Sequence, residues 1–217
     1  MNQTKVQKIV ILLFLLVLMP GILFTQESID LVDITELDST IIIDLRYATK
    51  DNFMGDTLYS ANICLLRSEV AEQLVKAHQS LRKLNLGLKV WDAYRPLSVQ
   101  KKMWKKISDP RYVADPARGS NHNRGAAVDV TLVDSQGNEL EMPTEFDDFS
   151  QRARSDYPDA SEQAKQNRSI LQQAMTSYGF LTISSEWWHF NYRGCHNYPI
   201  LDVPLEKFLK TKPNKDK

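Results

Sequence analysis

The sequence has no excess of charge of either sign, with 27 basic and 27 acidic residues among its 217. A neutral balance gives no indication of a nucleic-acid partner or of an anionic surface as a target. Internal repeats and low-complexity stretches are also absent from the sequence. About 190 residues follow the N-terminal apolar segment, which is enough for one compact domain with a sizeable core.

Cysteine is scarce, and the two that occur are Cys64 and Cys195. In an exported protein an even number permits one disulfide, so we predict these residues as a possible pair. Two buried free thiols are the alternative. Because Cys195 precedes His196, metal ligation is a third interpretation.

The sequence also has no hydrophobic run of membrane-spanning length. Its apolar stretch near the N-terminus spans only residues 9–19. A membrane-crossing helix needs about 20 apolar residues. The run follows Lys5 and Lys8, which is typical of a secretory signal peptide. We therefore predict a signal peptide at residues 1–25, a single domain at 26–217, and a periplasmic or extracellular location. An uncleaved membrane anchor stays open, since no A-x-A cleavage motif is present.

Hydrophobic periodicity predicts an α+β domain. A mainly antiparallel sheet would carry about three packed helices, with a metal site at the sheet. The predicted helices cover residues 68–86, 98–107 and 161–178, and the predicted strands cover 41–45, 88–91, 126–133, 181–183 and 188–192. Ser68 and Ser161 are predicted to cap the first and third helices, and Gly87 is predicted to end the first.

Two histidines and an aspartate are candidate metal ligands: His122, Asp129 and His189. Residues seven apart on a straight strand point to opposite faces, so His122 and Asp129 converge only if Gly125 bends the chain. Two imidazoles and one carboxylate leave a fourth position open for water, as in catalytic zinc sites. Taken singly, each residue also has an ordinary structural explanation: His122 as a turn cap, Asp129 as a surface acid and His189 as a packed core histidine.

Glu186 lies three residues before His189, where a strand is predicted to begin. A base near a metal must reach the attacking water without being a ligand itself. Trp187 and Trp188 are predicted to shield this carboxylate and raise its proton affinity, although core packing explains them equally well. No H-E-x-x-H motif is present, which excludes a thermolysin-like helix.

Arg95 precedes Pro96, which favours an extended backbone at the end of a strand. A fixed guanidinium there suits an oxyanion or a substrate carboxylate. A structural ion pair with Asp92 is the alternative, and spacing alone does not separate the two.

Nearly the whole chain after the N-terminal segment resembles the D-alanyl-D-alanine dipeptidases of vancomycin-resistance systems, within the wider zinc D,D-peptidase group. The landmarks are DLRYAT at 44–49, DNF at 51–53, WDAYRP at 91–96, SNHNRGAAVD at 120–129, FD at 146–147 and EWWH at 186–189.

The resemblance implies one zinc ion per chain on His122, Asp129 and His189, with Glu186 as catalytic base. It also implies that Arg95 stabilises an oxyanion, and that three further residues surround the ends of a D-Ala-D-Ala substrate. These residues are Ser120, Tyr47 and Asp147.

Two rival functions stay open: a D,D-carboxypeptidase or endopeptidase acting on longer wall peptides, and a non-catalytic wall-binding module. The best-known family members act in the cytoplasm, whereas an export signal would place this chain outside it. Recycling of wall-derived dipeptides or nutrient scavenging is then expected rather than a direct part in antibiotic resistance. A membrane contact is expected only if the N-terminal segment stays uncleaved.

Overall fold

The computed structural model describes residues 29–209 of the chain. The predicted signal peptide at residues 1–25 lies outside the described residues. The helices are α1 (Ile34–Leu37), α2 (Ser68–Arg82), α3 (Leu97–Lys106) and α4 (Glu162–Ser177). The strands are β1 (Val32–Asp33), β2 (Ile42–Ile43), β3 (Leu65–Leu66), β4 (Leu86–Asp92), β5 (Ala127–Asp134), β6 (Phe180–Thr182) and β7 (His189–Tyr192).

A five-stranded sheet with the order β2-β4-β5-β7-β6 forms the centre of the fold. β2 runs parallel to β4, and the other three pairings are antiparallel. β1 and β3 form a separate antiparallel pair. The α+β prediction with a mainly antiparallel sheet is therefore confirmed, although four helices are described where about three were expected.

The core lies on the face of the sheet that α2 and α4 cover. Val128, Val130 and Leu132 alternate along β5 and are fully buried, as are Leu74 of α2 and Leu171 of α4. Burying a side chain of this size contributes about 1.5–3 kcal/mol. The opposite face of β5, which carries Asp129 and Thr131, is left for the polar site.

Helix α2 shows where the local sequence was misread. Ser68 was expected to cap the helix, but Arg67 is the N-cap and Ser68 Oγ donates to Asp30 instead. The chain leaves the helix through Asn85, which has a φ of 57°. Gly87, expected to end the helix, lies inside β4, where an added Cβ would stand 3.2 Å from the ring of His78.

Candidate metal centre and active site

The pairing of β5 with β7 brings Asp129 and His189 to one face of the sheet. The two residues are direct partners in the antiparallel register, so their side chains project from the same face. His189 Nδ1 lies 2.9 Å from Asp129 Oδ1. Strand pairing alone thus assembles two of the three predicted ligands.

A 3₁₀ turn at His122–Arg124 delivers the third candidate, His122. Gly125 ends this turn with a φ of 66°, a left-handed conformation that favours glycine, and turns the chain into β5. His122 Nε2 lies 3.2 Å from His189 Nδ1 and 3.4 Å from Asp129 Oδ2. The three ligand atoms all lie within 4.8 Å of one another, so the bend predicted at Gly125 does produce the convergence.

All three side chains of this cluster are buried. Burial opposes ionisation, but the two imidazoles outweigh it and hold the pKa of Asp129 well below its usual range. Burial also lowers the pKa of His189, yet the hydrogen bond and charge of Asp129 raise it overall to about 9. The cluster therefore attracts positive charge at the point where its three ligand atoms meet.

A β-bulge in β4 turns Asp92 toward this site. Val90 pairs with Val130, and Asp92 pairs with Asp129, so two steps along β4 match one step along β5. Without the bulge, alternation would place Asp92 on the core face together with Val90. The extra residue, Trp91, moves the Asp92 carboxylate to the face that carries Asp129.

Asp92 holds the guanidinium of Arg95 in place through two hydrogen bonds. The Arg95 guanidinium donates from Nε and Nη2 to Asp92 Oδ2, at 3.0 and 2.5 Å, and from Nη1 to Gln100 Oε1 at 2.8 Å. It also lies over the ring of Tyr47, 5.0 Å from the centroid. The ion pair offered as the alternative role of Arg95 therefore exists, but Arg95 also lines the cavity described below.

Glu186 stands beside the cluster rather than in it. Its Oε2 lies 4.0 Å from His189 Nδ1, and its side chain is 27% exposed. Burial raises the pKa of this carboxyl above its usual range. Trp188 lines the cavity next to it, whereas Trp187 is fully buried and donates from Nε1 to Thr144 Oγ1.

A cavity of about 400 Å³ opens over the cluster. It lies within the range of small-molecule sites, about 300–1,000 Å³. Every catalytic, metal-binding and substrate-binding residue predicted from the sequence lines it: Tyr47, Arg95, Ser120, His122, Asp129, Asp147, Glu186 and His189.

Tyr47 and Asp147 form one wall of this cavity. The Tyr47 hydroxyl donates to both carboxylate oxygens of Asp147, at 3.1 and 3.0 Å. Burial, reinforced by the charge of Asp129, raises the pKa of Asp147 to about 8. Ser120 also lines the cavity, and its Oγ accepts from the backbone N–H of His122 at 3.2 Å.

Three polar residues of the site were not predicted from the sequence. Asn191 and Asn121 line the cavity, and Gln100 accepts a hydrogen bond from Arg95. Asn191 lies two residues after His189 in β7, so the two-residue period of a strand already placed it on the same face. Nothing in the local sequence indicates Asn121 or Gln100, because both act across the fold.

The two cysteines are both buried free thiols, so the possible disulfide between Cys64 and Cys195 is not formed. Cys64 precedes β3 next to the two-stranded sheet, and Cys195 lies in a turn after β7. Neither thiol belongs to the cluster of candidate metal ligands found among the described residues.

A family model described as D-ala-D-ala dipeptidase matches residues 27–206. The chain belongs to this dipeptidase family. The resemblance inferred from the sequence motifs is thereby confirmed, and the protein is a member of a family of enzymes.

Two curated relatives carry the same description. D-alanyl-D-alanine dipeptidase of Escherichia coli is 39% identical over 184 residues, which cover 85% of this chain and 95% of the relative. D-alanyl-D-alanine dipeptidase of Enterococcus faecium is 32% identical over 189 residues, covering 75% of this chain and 92% of the relative. The matches thus include almost the full length of the two relatives.

Solved structures give weaker likenesses. The vancomycin resistance D,D-dipeptidase VanXYg, in complex with a D-Ala-D-Ala phosphinate analog, is 23% identical with a TM-score of 0.39, covering 59% of this chain and 51% of that one. The LdcB LD-carboxypeptidase is 18% identical with a TM-score of 0.45, covering 80% and 73%. These values are too low to add to the family assignment.

The predicted export of the chain is wrong. The Escherichia coli dipeptidase is a cytoplasmic protein, which contradicts a periplasmic or extracellular location. The prediction depended on an apolar run behind two lysines, without the small-residue motif that specifies cleavage. Within residues 29–209, no helix has both the length and the apolar character that a bilayer crossing requires.

Proposed function

We propose that this protein is a zinc-dependent dipeptidase that hydrolyses D-alanyl-D-alanine to two D-alanines. The observation that carries the proposal is the meeting of a His-Asp-His cluster, a separate carboxylate and a fixed guanidinium around one cavity. The Escherichia coli and Enterococcus faecium relatives, both D-alanyl-D-alanine dipeptidases, support the choice of substrate.

The donor set fits a zinc ion. His122 Nδ1 lies 2.8 Å from the carbonyl oxygen of Ala93, which only accepts, so this nitrogen carries the proton and Nε2 keeps its lone pair. That lone pair faces Asp129 Oδ2 and His189 Nδ1. Without a cation or a proton these three atoms repel one another, and two imidazoles with one carboxylate are a common catalytic zinc set.

His122, Asp129 and His189 would hold the ion, one per chain. When bound, zinc supplies Lewis acidity, which lowers the pKa of water and polarises a carbonyl group. The other residues of the cavity then supply proton transfer, charge stabilisation and substrate orientation.

Glu186 is proposed as the general base. Because its carboxylate lies beside the cluster without joining it, it can take a proton from the attacking water. Burial strengthens it as a base by raising its pKa. Glu186 then gives the same proton to the amine of the leaving D-alanine.

Arg95 is proposed to stabilise the negative charge that develops on the scissile carbonyl oxygen. Three of its five N–H groups bind Asp92 and Gln100, and the guanidinium also lines the cavity, where it can reach a substrate oxygen. Because the guanidinium is already fixed, little reorganisation is needed as charge develops.

Asp147 and Ser120 are proposed to bind the ends of the dipeptide. A half-buried carboxylate that lines a cavity suits the ammonium group of a free dipeptide, and Tyr47 holds it in place. The hydroxyl of Ser120, which lines the same cavity, suits a carboxylate or carbonyl oxygen. If both ends of the substrate are bound in this way, N-blocked and longer peptides are excluded.

The substrate range tests this proposal. The zinc-loaded protein is incubated with D-Ala-D-Ala, L-Ala-L-Ala and N-acetyl-D-Ala-D-Ala, and free alanine is measured. The proposal requires cleavage of D-Ala-D-Ala alone. Cleavage of the N-acetyl peptide would favour a D,D-carboxypeptidase, and cleavage of none would favour a binding module.

A further inference from the structure

The two imidazoles of the proposed zinc site, those of His122 and His189, are oriented by different kinds of partner. His122 Nδ1 is held by a backbone carbonyl, that of Ala93. His189 Nε2 is held by a side chain, since it lies 3.0 Å from Oδ1 of Asn191. His189 and Asn191 are two apart in β7, which places both on the cavity face of the strand.

A second asparagine fixes the first. Asn121, from the loop before the His122 turn, donates from Nδ2 to Asn191 Oδ1 at 2.8 Å. The oxygen of Asn191 therefore has two nitrogen neighbours, one from Asn121 and one from His189. An amide oxygen accepts only, so His189 must present an N–H at Nε2.

We infer that Asn191, held by Asn121, is a positioning residue that sets the tautomer of His189 and makes Nδ1 the ligand atom. A neutral imidazole that carries its proton on Nε2 keeps a lone pair on Nδ1. In the metal-free protein Nδ1 donates to Asp129 Oδ1 at 2.9 Å, because a carboxylate only accepts, and it lies 3.2 Å from His122 Nε2. Zinc would take the place of this proton, while Asn191 keeps the other proton on Nε2. The inference rests on the proposed zinc site and adds a residue pair that acts through His189.

The inference is testable because the opposite orientation of the Asn191 amide would place the imidazole proton on the other nitrogen. If the amide of Asn191 were turned over, its Nδ2 would donate to His189 Nε2, and the proton of the imidazole would move to Nδ1. A protonated Nδ1 binds Asp129 and cannot bind a metal. Partners of this kind on the outer side of a metal-bound histidine contribute about 10–100-fold to metal affinity.

Zinc affinity of the full chain, measured by competition with a chromophoric chelator, is the first test. Asn191→Leu keeps the size of the side chain but removes the acceptor, so zinc binding should weaken by about 10–100-fold. Asn191→Asp keeps an acceptor for both donors and should bind zinc as tightly as the unaltered protein or more tightly. Asn121→Ala removes only the brace and should give an intermediate loss.

Thr182→Ala is the matched control, because Thr182 is exposed on the neighbouring strand β6 and pairs with Phe190 rather than with Asn191. It should leave zinc affinity unchanged. A loss caused only by strand disturbance would appear in this control and would not be rescued by Asn191→Asp. Unchanged zinc affinity in Asn191→Leu would overturn the inference.

The imidazole ¹⁵N spectrum of the unaltered zinc-loaded protein is the second test, and it does not depend on whether any variant folds. The inference requires a proton on Nε2 of His189 and a metal-shifted Nδ1. A proton on Nδ1 would overturn it. Both measurements are independent of turnover, so absence of D-Ala-D-Ala cleavage would refute the proposed function without bearing on the role of Asn191.

Discussion

Replacing Glu186 by glutamine separates the two roles that a carboxylate beside a candidate metal site can have: taking a proton from water, and binding the metal. Glutamine has nearly the same shape but cannot take a proton from water. Glu186 Oε2 stands 4.0 Å from His189 Nδ1, and Glu186 does not belong to the three-residue ligand cluster. We therefore expect Glu186→Gln to lose turnover while it keeps zinc.

The size of the loss follows from the role. General base catalysis by a placed side chain contributes about 10²–10⁴-fold to the rate. At about 1.36 kcal/mol per tenfold, this corresponds to a rise of about 3–5 kcal/mol in the activation barrier. KM should change much less than kcat, because the proton is transferred only in the reaction step.

The melting temperature of the metal-free variant is a second readout, and it should change in the opposite direction to turnover. Burial raises the pKa of Glu186, so above that pKa the folded metal-free protein carries a carboxylate that it solvates poorly. Glutamine removes this charge, and the melting temperature of the metal-free protein at pH 8 should therefore rise rather than fall. A variant that had simply lost its fold would melt earlier.

The assay is initial-rate release of D-alanine from D-Ala-D-Ala, with bound zinc counted by elemental analysis of the same sample. Glu145→Gln is the control, because it makes the same change at an exposed acid on the loop that leads to Asp147. It should behave as the unaltered protein. Near-normal turnover of Glu186→Gln would refute the assignment of Glu186 as base, and loss of zinc would make Glu186 a ligand instead.

Three further predictions concern pH and the backbone. Since burial raises the pKa of Asp147 to about 8, its carboxylate becomes protonated as the pH falls below that value, and kcat/KM for D-Ala-D-Ala should fall as well. The pH profile of Asp147→Asn should lack this step, and the KM of this variant should be raised. Burial lowers the pKa of His78, whose Nδ1 accepts from the backbone of Leu88 at 3.1 Å. Its contribution to the free energy of unfolding should be complete above about pH 6.5 and be lost as the pH falls below that value, which urea unfolding at pH 7.5 and 5.5 measures. Gly125→Ala should lower the melting temperature and weaken zinc binding, because its φ is +66° and the added Cβ would stand 2.6 Å from Leu31 Cδ2.

Most regular elements of the fold were accessible from the sequence. The apolar stripe of α2 and the serine cap of α4 are local signals, and Ser161 Oγ does accept from the backbone N–H of Ala164. β5 and β7 were recognised from alternation and from β-branched or aromatic residues. The pair β1–β3 was missed, since two-residue strands show no periodicity.

The ligand cluster was predictable because its geometry follows from two local facts. Gly125 permits the bend after His122, and an antiparallel pairing of two predicted strands brings Asp129 beside His189. The family resemblance supplied the remaining site residues, such as Tyr47 and Asp147, which lie 100 positions apart and meet only in the folded chain.

The supports of the site were not predictable in the same way. The orientation of Asp92 depends on a bulge at Trp91, and hydrophobic alternation contains no signal for a register shift of one residue. The brace from Asn121 to Asn191 joins residues that are 70 positions apart. Such contacts arise from tertiary packing, so a single sequence does not reveal them.

Metal dependence is the most direct test of the proposed zinc-dependent mechanism, measured as D-alanine release from D-Ala-D-Ala while zinc is titrated into the metal-stripped protein. This mechanism predicts no turnover without metal, and a linear rise to a plateau at one zinc ion per chain. His122→Ala should show no such rise in this range of zinc. Full turnover in the stripped protein, or a plateau that His122→Ala also reaches, would contradict it.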